Sequence, residues 1–118
     1  MTMLYNYTNT QNPINFPQRK PIDKLTKDGQ VAVLYSTVYG CGWYSHHQML
    51  DLVFDPHIVE IHQNPREVEE YVWEVYREEV YADGLAVAWI ALGSRFVIQE
   101  YDGKERIVVE EDFEWITA

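Results

Sequence analysis

Apolar residues fall in three kinds of run along the chain, and each kind predicts a different element. Residues 31–36, V-A-V-L-Y-S, are almost continuously apolar and rich in β-branched and aromatic side chains. A run without polar alternation predicts a strand covered on both faces. Gly29 precedes it, and Gly40 and Gly42 follow it as turn signals. Residues 45–48, S-H-H-Q, then match a capping box. In that motif the Ser45 hydroxyl accepts from the Gln48 backbone N–H, and the Gln48 side chain reaches back. A helix is expected from about residue 46 to 53, turning Leu50, Val53 and Phe54 inward.

Two further helices announce themselves by their caps. Asp55-Pro56 reads as an N-cap followed by proline at the first helical position, opening a helix over 56–62 that buries Ile58 and Val59. Asn64-Pro65-Arg66-Glu67 repeats the logic and opens a helix over 65–80. Val68, Tyr71, Val72, Val75, Tyr76 and Val80 share one stripe of it. Glu70, Glu74 and Glu78 form a row of like charges on another face. Trp73 lies off the apolar stripe, four residues before Arg77, where a cation–π contact is geometrically available.

After Asp83-Gly84 the period changes to two. Strands are expected over 85–92, 95–101 and 105–109, joined by a type II′ turn at Gly93-Ser94 and a type I′ turn at Asp102-Gly103. These turns set Ala91 opposite Phe96, Trp89 opposite Ile98, and Ile98 opposite Ile107. One sheet face then gathers Val87, Trp89, Phe96, Ile98, Ile107 and Val109, to be covered by the long helix. The other gathers Arg95, Gln99, Tyr101, Lys104 and Arg106, beside Ile90, Leu92, Val97 and Val108. The same register puts Glu100 against Glu105, a destabilising pair that calls for an outside cation or arginine or, more simply, for a longer turn. Residues 113–116 are expected as an additional edge strand.

Residues 1–30 carry no period of either kind and read as an extended arm, with Tyr5, Tyr7 and Phe16 available to pack on the body or on a second subunit. Residues 31–118 read as one α+β domain: one strand, two or three helices, then a C-terminal three- to four-stranded antiparallel meander.

Charge narrows the function. The net charge is −10, carried by the second half: residues 60–118 hold five basic and fifteen acidic residues, while residues 1–59 balance four against four. General binding to a nucleic-acid backbone is not expected. An acidic face could instead dock on a basic partner. One cysteine, Cys41, excludes an internal disulfide and suits a reducing cytoplasm. No apolar run is long enough to cross a membrane. His46, His47, His57, His62 and Cys41 match no zinc spacing, and no metal or cofactor is expected. Cys41 has no evident orienting group, and Glu100 with Glu105 has no supporting acid–base motif.

Two ligand surfaces remain. Gly40, Gly42, Trp43 and Ser45 lie where a glycine turn meets a helix start, a place where free N–H groups attract anions. Arg95, Gln99, Tyr101 and Arg106 would add charge, an amide and a ring suited to a phosphate with a stacked base. The competing surface is the acidic helix, with Glu70, Trp73, Glu74 and Glu78 facing a basic protein.

The segments V-A-V-L-Y-S, G-C-G-W, V-F-D-P and R-F-V-I-Q-E-Y-D-G-K-E, within residues 31–116, resemble a group of small proteins of tailed bacteriophages. The family form runs closer to G-x-G-A-G-W at the turn and F-R-I-x-E-Y-D-G-S-E at the hairpin, and Cys41 departs from it. The resemblance implies a host-defence antagonist acting in the host cytoplasm, similar to the Thoeris anti-defence sponges that bind cyclic ADP-ribose isomers. The expectation is a non-enzymatic protein that sequesters a nucleotide-like anionic signal, with a homo-oligomer as an option. The alternatives are an acidic inhibitor of a host defence or DNA-binding protein and a nucleotide-processing enzyme.

Overall fold

A computed structural model describes residues 23–118 of the chain. Most of the expected arm therefore lies outside the described residues. Its last part does not: β1 (Thr26–Lys27) forms a hairpin with β2 (Gln30–Ser36), so the sheet begins before residue 31. Four short helices follow, α1 (Tyr44–His47), α2 (Leu50–Phe54), α3 (Pro56–Ile61) and α4 (Pro65–Tyr76). Strands β3 (Leu85–Ala91), β4 (Phe96–Tyr101) and β5 (Lys104–Val109) complete an α+β fold, with a 3₁₀ turn at Glu110–Asp112.

β2 is covered on both faces, as its unbroken apolar run requires. Ala32 and Leu34 face one cluster with Leu52, Ile58, Val68, Val72 and Tyr76, the helical side. Val33 faces the opposite way, toward Tyr44, Val53, Phe96, Ile98 and Ile107. The helices therefore cover one side of β2, with α2 and α3 directly against it and α4 packed on α3, and the β4–β5 pair covers the other side of the same strand.

The C-terminal strands divide between two sheets, β1-β2-β3 and β4-β5. β3 lies along β2, with Trp89 opposite Ala32 and Ala91 opposite Gln30, so the expected pairing of Trp89 with Ile98 does not form. The turn explains this. Ser94 N–H donates to Ala91 O, which puts Gly93, at φ +84°, in the third position of the turn. That is a type II pattern, whose twist splays strands instead of pairing them. Across Asp102 and Gly103 the expected register holds: Phe96 faces Val109, Ile98 faces Ile107 and Glu100 faces Glu105.

The helical caps at Asp55 and Asn64 are as expected: Asp55 accepts from His57 and Ile58 N–H, and Asn64 from Glu67 N–H. Asp55 is buried and also accepts from the hydroxyls of Tyr71 at 2.8 Å and Tyr76 at 2.7 Å. Three boundaries differ. α1 and α2 are separate, because Gln48 is left-handed at φ +54° and ends α1. α4 stops at Tyr76, capped by left-handed Arg77. Beyond it Val80 and Ala82 are both buried, and two residues spaced by two cannot share a helical face. The tail 113–116 forms no strand, and Trp115 and Ile116 are exposed.

Candidate functional site

The glycine turn after β2 does hold an anion, and the anion is the protein's own. Glu105 on β5 is 3% exposed. Its register puts it on the same face as Ile107, pointing into the molecule. One carboxylate oxygen accepts from Ser36 N–H at 2.8 Å. The other accepts from Trp43 N–H at 3.0 Å, Ser45 N–H at 2.7 Å and the Ser45 hydroxyl at 2.8 Å. Charge-assisted bonds of this kind are the strong ones, and together they satisfy a buried charge.

The close backbone approach that glycines permit is also internal. A Cβ at Gly103 would lie 2.7 Å from Cys41 N and 2.8 Å from Gly40 N. The Gly40 N–H donates to Asp102 O, so the tip of the β4–β5 hairpin seats on residues 40–42. Gly42 has Gly103 Cα 3.7 Å from its missing Cβ. Trp43 is fully buried and its indole N–H donates to Leu52 O at 2.7 Å, so its ring is core and not a stacking platform. The Ser45 hydroxyl donates to Glu105, while the Gln48 N–H goes to Tyr44 O, so the expected capping box does not form. Of the sequence-derived site, Gly40, Gly42, Trp43 and Ser45 are therefore brought together, but around Glu105.

The Glu100–Glu105 pair needs neither a longer turn nor an outside cation. Glu100 accepts from Gly103 N–H at 3.0 Å, while Glu105 turns into its buried nest. Each carboxylate has its own backbone donors, which offsets their repulsion.

The outward face of β4 and β5 carries Val97, Gln99 and Tyr101 opposite Val108, Arg106 and Lys104. Arg106 donates to Gln99 at 2.7 Å and makes no ion pair among the described residues. Lys104 stands 5.3 Å above the Tyr39 ring, which meets Tyr101 edge-on at 6.4 Å. Arg95 is different. It is clamped by Glu110 through bonds of 2.9 and 2.7 Å, which hold the Arg95 guanidinium above and the Glu110 carboxyl below their ordinary values. It also lies four positions along the strand from Gln99, about 13 Å away. Arg95 therefore does not join the other three.

The C-terminal tail walls this face. A cleft of ≈ 690 Å³ runs between Gln99, Arg106 and Val108 on the sheet and Phe113, Glu114 and Trp115 on the tail. A second, of ≈ 290 Å³, continues past Arg106 to Tyr39, Tyr101 and Lys104. The parts played by Tyr39, Phe113 and Trp115 are not legible in the sequence, since only the folded paths of the segment after β2 and of the tail bring them to the sheet. Glu105 left one signal: a carboxylate on a core-facing strand position.

The alternative surface keeps part of its expected geometry. Glu70, Trp73 and Glu74 are exposed on α4, with the Arg77 guanidinium 5.9 Å from the Trp73 ring. Glu78 lies past the end of the helix, 3.7 Å from His47, and so leaves the row. Burial and the neighbouring His46 hold the His47 pKa below its ordinary value, outweighing Glu78. Among the described residues no group of three or more His, Cys, Asp or Glu side chains is placed to hold a metal, and no helix is long and apolar enough to cross a membrane.

Compared with protein-family models, curated proteins and solved structures, the chain matches none.

Proposed function

We propose that this protein is a binding module that sequesters a small, nucleotide-like anion on the outward face of β4 and β5. One observation carries the reading. In a chain of net charge −10, the cleft beside the tail presents Arg106 with no ion pair among the described residues, next to an amide at Gln99 and rings at Phe113 and Trp115, with Asp112 and Glu114 also on the tail side. A guanidinium and a primary amide suit a phosphate and a base edge, and aromatic rings suit stacking. Lys104 and Tyr101 extend the same surface. In the setting implied by the resemblance to bacteriophage proteins, such binding would withdraw a host defence signal.

The test is a thermal-shift and calorimetry panel of nucleotides and cyclic nucleotides, cyclic ADP-ribose isomers included. A ligand that binds the native state raises Tm with its concentration. Arg106→Ala and Lys104→Ala should weaken that shift, and Arg95→Ala should leave it intact. Absence of any shift, or a shift indifferent to Arg106, refutes the reading. Recovery of the ligand unchanged after incubation separates sequestration from a nucleotide-processing enzyme.

A second reading draws on Trp73, 48% exposed between Glu70 and Glu74. An exposed tryptophan in an acidic frame suits a basic protein surface. Charge reversal at Glu70 and Glu74 would abolish such an inhibitor while leaving ligand shifts untouched.

A further inference from the structure

We infer that two copies of this chain associate through the open edge of β3, joining their sheets into one. The observations are independent of the ligand cleft. β3 is the outer strand of the sheet order β1-β2-β3. The bonds from Leu92 N–H to Gly29 O and from Thr37 N–H to Gly84 O fix which residues of β3 bond to β2. They are the even-numbered ones, through Ala86, Ala88 and Ile90. Leu85, Val87 and Trp89 thus turn their backbone N–H and C=O away from β2, and among the described residues no strand pairs with them.

An edge of this kind is normally guarded by lysine, proline, a bulge or shortness. This one has seven residues, L-A-V-A-W-I-A, and pairs with β2 without a break in register. No charged residue occurs from 84 to 94. Trp89 and Leu92 are exposed beside it, at 38% and 59%.

Self-complementarity selects a second copy as the occupant, and charge permits it at this place: two molecules of net charge −10 repel overall, and a strip without charged residues brings no like charges into contact. The β3 edge is such a strip, about 23 Å long. Antiparallel pairing about a two-fold axis is self-complementary, because each copy offers the same donors and acceptors. With the axis at Ala88, Val87 pairs with Trp89 of the partner subunit, and Leu85 with Ala91 of the partner subunit. Ala88 then meets its own copy in a non-hydrogen-bonded pair, with Cα atoms about 4.5 Å apart.

The full chain in analytical ultracentrifugation should sediment, as concentration rises, toward twice its 14.0 kDa mass. Added salt should strengthen the dimer, because it screens repulsion and breaks no ion pair. Trp89→Lys and Ala91→Lys should each weaken association by about tenfold or more, which is roughly 1.4 kcal/mol, with circular dichroism unchanged in both and the Tm of the dilute monomer unchanged in Ala91→Lys, whose side chain is exposed. In a Cys41→Ser background, Ala88→Cys should form a disulfide-linked dimer under mild oxidation, since about 4.5 Å is within bridging range. A monomer at all concentrations overturns the inference. So does a dimer that survives both lysine variants or weakens in salt. Slow hydrogen exchange at Val87 and Trp89 in a monomer would mean that the chain fills its own edge, and it too overturns the inference.

Discussion

Removing the Glu105 carboxylate is the sharpest test of how this fold is held together. Glu105→Ala takes the acceptor from three backbone N–H groups and one hydroxyl at once. A hydrogen bond to a charged acceptor contributes about 1.5–3 kcal/mol net, and a buried donor left unpaired costs about 1–3 kcal/mol. These do not add. All four bonds share one desolvated ion, and the Ser45 side is only partly buried, so water can re-enter there. A total loss of about 4 kcal/mol is expected, in the range for breaking a buried, paired charge. For a domain of this size that lowers Tm by roughly 15–30 °C. Glu105→Gln separates charge from geometry. Its carbonyl can keep the three-donor position, but its amide N–H₂ then faces the Ser36 N–H. A loss of about 2 kcal/mol follows from that one mismatch. Urea denaturation with intrinsic fluorescence measures both. If Glu105→Ala costs less than about 1 kcal/mol, or if Gln is as damaging as Ala, the carboxylate is not the clamp described above.

The hairpin tip gives a second test: Gly103→Ala must fit a Cβ 2.7 Å from Cys41 N at φ +87°, so it should cost about 2–3 kcal/mol in the same urea assay. Tyr76→Phe removes one of two phenols on Asp55 and should cost about 1–2 kcal/mol. Burial, then the bond to Asp55, push the Tyr76 phenol far above its usual value. The folded chain thus holds a proton that the unfolded chain loses near pH ~10, so stability is full below that pH and falls above it, with one tyrosine silent by ultraviolet absorbance until unfolding. His47 titrates below its ordinary value, so the unfolded chain binds more protons between the two values. Stability is then full above about pH 6.5 and declines as pH falls through the folded value. His47→Gln should flatten that decline in urea midpoints taken from about pH 7.5 to about pH 5.

Much of the fold was legible from local chemistry. The caps at Asp55 and Asn64, the doubly covered β2 and the type I′ register at Asp102 and Gly103 all follow from residues close in sequence. What was not legible is non-local. Nothing near Gly93 says that the turn begins at Ala91 and not Leu92, and that one-residue choice sends β4 to another sheet. The anion-attracting turn at 40–45 was readable, and so was the acidic side chain on a core face at 105. Joining them requires the docking of elements more than 60 residues apart, which local patterning does not report. The capture of Arg95 by Glu110 depends on the path of the chain after β5.

The bond between Glu105 and Ser36 spans 69 positions, and the segments it joins are the central strand and the last one. During synthesis, then, β2 can acquire its helical cover early, while Val33 and Val53 stay wet until the final strand leaves the ribosome. A nascent chain stalled before residue 105 presents a half-dressed sheet and four idle N–H and O–H donors. Folding of this protein is therefore expected to end in one late, cooperative closure, slow for its size because so much of the loop-closing entropy is settled in a single step.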